Sequence, residues 1–437
     1  MAHFGVVAPA FYSHFNALAA LAAELIARGH HVTFLHRPDA SAWLDDERIG
    51  FHALGAERFP RGSLAAALQR AANPGSPLGL RRVIIDMAES TNMLCHELPT
   101  AIDTLRIDAL IGDQMEAAAG LVAEALRLPL LSVACALPVN REPGIPLPVM
   151  PFSYDQSARA LQMIEGSTRV YDWLMTPHRR VIEQQSRTLG IPVRGMLHEC
   201  LSPLAQISQT IVRFDFPRRQ SPAHFHHVGP LRRTPTGAPA TNPAQDMAAA
   251  AMPARIDGRP FIFASLGTLQ GQRFSLFKRI AEACRSLDVQ LLVAHCGGLT
   301  PQQAHAVERA GPAGATTVCA FAPQQAVLAR ADAVVTHAGL NTAMDAIATR
   351  TPILALPIAF DQPGVAARVC HAGVGLRASP RFASARKLAD HLRRLLDEPQ
   401  FARKLEPLAQ QLAQAGGTRR AADIVEQALR QPESHSA

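Results

Sequence analysis

The chain has 437 residues, 48% hydrophobic and 18% charged, which is enough for two ordinary globular domains with substantial cores and excludes a disordered or fibrous protein. A formal net charge of +7 suits nucleic acid, anionic lipid or a phosphorylated ligand, or simply an arginine-rich proteome, and charge alone does not make a nucleic-acid binder. Seven cysteines, an odd number with no Cys-x-x-Cys pair, speak against a disulfide framework and against a structural zinc site.

Phe4-Gly5-Val6-Val7-Ala8-Pro9 has neither a basic leader nor a long apolar core, so it reads as a first strand rather than a signal peptide. With no run of about 20 apolar residues to cross a membrane, the cytoplasm is the expected location. A loop, Ala10 to Asn16, leads into an alanine-rich helix stopped at Gly29, and His31 to Leu35 is the next strand. The opening is therefore a βαβ unit of a parallel sheet, in which ligands bind at the carboxyl ends of the strands, where His14 falls. Asp108 to Asp113 is another strand ending in a carboxylate, followed by a helix from about Met115 to Arg127 and the strand Leu130 to Val133. A His and an Asp at one sheet edge form a dyad, the carboxylate orienting the imidazole whose other nitrogen removes a proton from a hydroxyl. Taken alone, His14 also fits a surface loop and Asp113 a helix N-cap.

The stretch Pro138 to Pro151 is too rich in proline for a regular strand, and a helical region from Asp155 to Gly190 follows. Its apolar character suits a greasy small-molecule partner, or equally a lid or core helix. Arg159, Arg169, Arg179 and Arg180 would hold this segment near anionic lipid, or form a solvated face. His224, His226 and His227 do not read as a metal site, because neighbours in an extended chain point to opposite faces and no carboxylate or cysteine lies beside them.

After Val228-Gly229-Pro230 the chain from Arg232 to Asp257 is rich in Pro, Ala and Thr, which predicts an interdomain linker and a boundary near Leu231. The expected divisions are 1–231, a linker at 232–257, a second domain at 258–415, and a last helix with a loose tail at 416–437. The second domain opens with the strand Arg259 to Ala264 and then Ser265-Leu266-Gly267-Thr268, where glycine admits a phosphate close to the backbone and the hydroxyls donate to it. Its centre is Phe321 to Gln362. The strand Ala331 to Thr336 turns at His337-Ala338-Gly339-Leu340-Asn341-Thr342 into a helix, which offers unpaired N–H groups, a positive dipole end, an imidazole, an amide and a hydroxyl to a diphosphate. Asp345, one turn on, is placed for ribose hydroxyls, and Asp361 and Gln362, after the strand Pro352 to Pro357, for those of a sugar.

In order and spacing, Phe321, Gln324, His337, Gly339, Asn341, Thr342, Asp345, Asp361 and Gln362 resemble the signature of the UDP-glycosyltransferase superfamily, with Phe321 where members usually carry Trp and Asp345 where they carry Glu. That resemblance implies an α/β protein of GT-B type, two Rossmann-like parallel-sheet domains facing a cleft, with the last helix crossing back to the first domain. It implies an inverting transferase that moves glucose from UDP-glucose to a hydroxyl. His14 would be the base and Asp113 its orienting partner, while Ser265, Gly267, Thr268 and the signature residues bind the donor. UDP-glucose would be a co-substrate, with no cofactor. No Asp-x-Asp occurs in the chain, so a metal bridge to the diphosphate is not expected. Ala8 to His14, Leu147 to Phe152 and Tyr171 to Met175 resemble the bacterial branch that glucosylates carotenoids such as zeaxanthin. This implies a hydrophobic hydroxylated acceptor and an enzyme lying against the inner face of the membrane. The same chemistry on a macrolide, flavonoid or sterol, a UDP-sugar epimerase, and a pigment carrier without chemistry are the competing readings.

Overall fold

The computed structural model describes residues 1–233 and 252–430. The body of the expected linker and the tail therefore lie outside the described residues.

The first half alternates strand and helix. β1 (His3–Val7), α1 (Tyr12–Ala27), β2 (His31–His36) and β3 (Gly50–Ala53) are followed by two helices, α2 (Ser63–Ala72) and the long α3 (Pro77–Leu105). Then come β4 (Ala109–Asp113), α4 (Ala117–Leu126), β5 (Leu130–Ala134), α5 (Ala158–Leu174), α6 (Thr176–Thr188), β6 (Ala205–Ser208) and β7 (Phe225–His227). The strands form a 7-stranded sheet in the order β3-β2-β1-β4-β5-β6-β7. Every adjacent pair is parallel, as buried apolar strands joined by helical crossovers require.

The second half repeats the plan: β8 (Phe261–Ser265), α7 (Phe274–Arg285), β9 (Gln290–Ala294), α8 (Pro301–Ala310), β10 (Thr316–Cys319), α9 (Gln324–Leu328) and β11 (Ala333–Thr336). It continues through α10 (Leu340–Ala348), β12 (Ile353–Ala355), α11 (Gln362–His371), β13 (Gly375–Arg377), α12 (Ala385–Asp397), α13 (Gln400–Gln414) and α14 (Gly417–Arg430). Its 6-stranded sheet runs β10-β9-β8-β11-β12-β13, again with parallel neighbours.

In both sheets the strand order reverses direction beside the first strand of the half, at β1/β4 and at β8/β11, and the carboxyl ends there form a crevice. One crevice receives the residues after β1 and β4, the other those after β8 and β11. The halves are locked together. Asp215, beyond β6, accepts from Arg368 of α11 at 2.6 Å and from Arg218 at 2.8 Å, in a pair almost wholly removed from solvent. Burial alone would raise the Asp215 carboxyl, but the two guanidiniums hold it well below the usual carboxylate range. The Gly364 amide donates to Pro148 O at 3.0 Å, and a Cβ on Gly364 would sit 2.2 Å from that oxygen. α14 returns to the first half: Ala421, Ala422, Ile424 and Val425 join the core beneath α1, and Arg28 reaches Asp423 at 2.7 Å.

One sequence expectation changes. The loop expected from Ala10 to Asn16 is shorter, because α1 begins at Tyr12, and His14 lies in its first turn rather than in a loop. No Gly or Pro interrupts Tyr12 to Asn16, so the helix propagates to the end of the sheet. α3 is a 29-residue helix that carries Pro99 inside it. Two of the histidines near β7 find separate partners, His224 at Gln206 and His227 at Thr210 Oγ1.

Candidate active site

A cleft of about 1660 Å³ runs between the two sheets. Drug-sized ligands fill roughly 300–1,000 Å³, so it has room for more than one substrate. His14, Ser265, Gly267, Thr268, Phe321, Gln324, His337, Gly339, Asn341, Thr342, Asp361 and Gln362 all line it. Asp113 and Asp345 do not; each stands behind a residue that does.

His14 Nδ1 lies 2.7 Å from Asp113 Oδ2, and the second carboxylate oxygen accepts from the Met115 amide at 2.8 Å. Asp113 is thus fixed at both oxygens and acceptor-only when ionised, so it holds the proton on Nδ1 and leaves the Nε2 lone pair free. Burial disfavours the imidazolium, but Asp113 and, more weakly, Asp361 outweigh it and raise the His14 pKa above its ordinary 6.5. Phe11 and Phe360 meet edge to face at 5.5 Å across the cleft beside His14, joining the base to the opposite half. The group with metal-ligand spacing found among the described residues is His14, Asp113 and Cys135. Burial pushes the Cys135 thiol well up, so without a metal it stays protonated.

The facing wall is built from strand ends and one helix start. Thr336 closes β11, Ala338 turns the chain at φ 64°, and α10 begins behind Gly339 with no side-chain cap. Its first N–H groups are left for a ligand. The His337 ring is clamped between two glycines: a Cβ on Gly267 would come within 2.7 Å of it and one on Gly339 within 2.6 Å. Burial drives His337 down to about 4. It is a neutral imidazole with one N–H to give, next to the Ser265 to Thr268 turn after β8. Phe321, half exposed after β10, offers an open ring face.

Behind this wall lies a network that the sequence did not reveal. Gln324 donates to Asp345 Oδ2 at 2.7 Å and accepts from the Thr342 hydroxyl at 3.2 Å. Arg232, at the exit from the first half, donates to Asp345 Oδ1 at 2.9 Å, to Asn341 O at 3.3 Å, to Asn341 Oδ1 at 3.3 Å and to Leu231 O at 3.0 Å. Asp345, placed for ribose by the sequence reading, is instead enclosed, with Oδ2 taken by Gln324 and Oδ1 by Arg232. Arginine can only donate, so the Asn341 atom facing it is oxygen and the amide NH₂ is left for the cleft. The Thr342 hydroxyl, expected at the diphosphate, is turned to Gln324. Asp361 accepts from the Leu137 amide at 3.1 Å, and Gln362 Oε1 ties down Ile358 and Ala359 at 2.9 and 2.8 Å.

The other end of the cleft is apolar, lined by Val83, Ile84 and Met87 of α3, by Leu147 and by Leu174 of α5. His178 of α6 is its buried polar group. Its Nε2 lies 3.0 Å from Thr91 Oγ1, which donates to Glu116 at 2.7 Å, and burial takes His178 down to about 4. Nothing in the sequence around His178 marked it out.

The family model described as "UDP-glucoronosyl and UDP-glucosyl transferase" matches residues 5–410. The chain belongs to this family. It is 49% identical to a zeaxanthin glucosyltransferase of Pantoea ananas over 429 residues, covering 98% of this chain and 96% of that one. It is 48% identical to a zeaxanthin glucosyltransferase of Pseudescherichia vulneris over the full length of both chains. In fold it is similar to the calicheamicin glycosyltransferase CalG4, with a TM-score of 0.73 at 17% identity over 99% of each chain, and to the glycotransferase of kitacinnamycin, with a TM-score of 0.71 at 20% identity over 98% of each. These are GT-B neighbours, and the two-sheet α/β architecture is the one that the residue pattern predicted. Neither an epimerase nor a pigment carrier is favoured. No helix among the described residues is long and apolar enough to cross a membrane.

Proposed function

We propose that this transferase moves glucose from UDP-glucose to the hydroxyls of zeaxanthin with inversion, giving the β-glucoside and then the diglucoside. The observation that carries this is a near-full-length identity of 49% to a zeaxanthin glucosyltransferase together with a cleft that has an oriented His on one wall and an uncapped helix start on the other. His14 Nε2 takes the proton of the acceptor hydroxyl, Asp113 stabilises the imidazolium, and the oxygen attacks the anomeric carbon from the side away from UDP. The leaving diphosphate is met by the α10 amides, the His337 N–H, the Asn341 NH₂ and Thr268, which are fixed dipoles. Phe321 stacks on the uracil, while Asp361 and Gln362 hold the glucose hydroxyls. These groups suffice without a metal ion or a cofactor. The acceptor is carried in lipid, so the enzyme works at the inner face of the membrane.

The test is incubation of the purified protein with UDP-glucose and detergent-dispersed zeaxanthin in EDTA, with UDP release and glycoside mass followed beside a His14→Ala variant. Mono- and diglucoside from the wild type, and neither from the variant, is the expected result. UDP-glucose binding without any glycoside would refute the acceptor, and loss of activity in EDTA would refute metal independence.

A further inference from the structure

α5 carries more apolar surface than the fold covers. Met163, Val170 and Trp173 are 48%, 57% and 73% exposed. At 3.6 residues per turn they fall on one strip, together with Gly166, where an added Cβ would meet nothing within 4 Å. The neighbouring strip of the same helix holds Leu174 and Tyr171, which line the cleft, and the buried Ala160 and Ile164. A helix packed on a core needs one apolar face, and a water-facing outer side should be polar. Here the apolar arc continues past the cleft wall into solvent.

The rim of the cleft extends this surface. Leu80 and Val149 both line the cleft and are each 39% exposed, and Leu78, one turn from the cleft wall on α3, is 74% exposed. Arginines border these residues: Arg81 and Arg82 follow Leu80, Arg159 and Arg169 lie on α5, and Arg180 on α6, all exposed. Arg169 meets only the solvent-exposed Glu165, at 3.6 Å, a contact too weak to occupy it. Against these, Asp155 and Glu165 are exposed, while Asp172 is paired with Arg141 and Glu183 with Arg179 and Arg187, so arginines outnumber acids on α5 and α6. An exposed Trp within an apolar strip edged by guanidiniums is the chemistry that settles at the headgroup level of an anionic bilayer.

We infer that the outer face of α5, with the start of α3, docks on an anionic membrane and sets the acceptor end of the cleft against it, so that the acceptor passes from lipid to His14 without crossing water. This rests on the proposed hydrophobic acceptor. The arginine border argues for a bilayer rather than a second copy of this chain, whose own face would be equally basic.

Trp43 and Trp173 are the two tryptophans, and Trp43 is half-buried against Phe15 at 5.1 Å and lines the cleft, so emission is read in a Trp43→Phe background, where a change on adding vesicles reports Trp173. The full-length protein is mixed with phosphatidylglycerol–phosphatidylethanolamine vesicles, with phosphatidylcholine vesicles, and with the former in high salt. A blue shift and co-sedimentation with the anionic vesicles alone, weakened by salt, are expected. Co-sedimentation, which needs no tryptophan, should be lost when Met163→Ser, Val170→Ser and Trp173→Ser are combined, with UDP-glucose-dependent glucosylation in detergent kept within about twofold, as for surface substitutions. Failure to bind any vesicle while glucosylation in detergent proceeds would overturn the docking face and leave the proposed function standing. Concentration-dependent self-association removed by the triple variant would assign the strip to a second copy instead. Vesicle binding without glucosylation under any condition would keep the face and overturn the acceptor reading.

Discussion

The two walls of the cleft are built on opposite principles. On the donor wall almost every polar group is spoken for: Arg232, Asp345, Gln324, Thr342 and Asn341 hold one another, so the few donors that reach the cleft are fixed before any ligand arrives. On the acceptor wall His14, held on Asp113, faces a lining to which α3 and α5 bring Val83, Ile84, Met87 and Leu174, with His178 among them. A nucleotide diphosphate has a fixed pattern of charge, and a rigid dipole array is worth most against it. A long apolar acceptor has almost no pattern beyond its hydroxyl, so shape and desolvation must place it.

Removing the base of the acceptor wall should have the largest effect. His14→Ala is expected to cut kcat by about 10²–10⁴-fold, while calorimetry finds UDP affinity unchanged. A parallel loss of UDP affinity would mean that the walls are not independent. Next comes the seam that fixes their distance. Arg368→Met leaves Asp215 buried with only Arg218, and breaking such a pair costs about 3–5 kcal/mol; denaturant unfolding reads this, and a change within error would show that the halves do not depend on that contact.

Loosening the donor wall should cost less. Arg232→Met frees the Asn341 amide to rotate, so UDP should bind about tenfold more weakly, equivalent to 1.4 kcal/mol, while uridine, which has no diphosphate, binds as before. Arg232→Lys should not rescue, because a lysine cannot reproduce the fork. Equal losses for UDP and uridine would put the arginine at the nucleoside instead.

The smallest effect is a shift in pH. His14 acts as a base only when neutral, and its pKa is raised, so activity should be lost as pH falls through a midpoint above 6.5. Asp361→Asn removes one of the two carboxylates that raise it, and the midpoint of the kcat/KM profile should move down. An unmoved midpoint would take Asp361 out of the base's field.

The same contrast explains what could be read from the sequence. The donor turn is local: β11, the His337 to Thr342 turn and α10 are contiguous, and their spacing alone puts an imidazole and free amides at a strand end. His14 and Asp113 were legible because one follows β1 and the other ends β4 in a parallel sheet. Arg232 was not, because its partners lie more than a hundred residues away and come near only when the second sheet folds back. The turning of Asp345 away from the cleft depends on Gln324 taking its oxygen, a long-range pairing that no spacing encodes. α3, which supplies much of the apolar lining, contains a proline that masks its helical period.

The central claim is that an acceptor oxygen activated on one wall attacks a sugar anchored on the other in a single displacement. The most direct test is the anomeric configuration of the product made from UDP-α-glucose labelled at the anomeric carbon, read by NMR on the zeaxanthin glycoside. The account predicts the β-glucoside alone, from the wild type and from Arg232→Met, and none from His14→Ala. An α-glucoside, or full activity without His14, would contradict it.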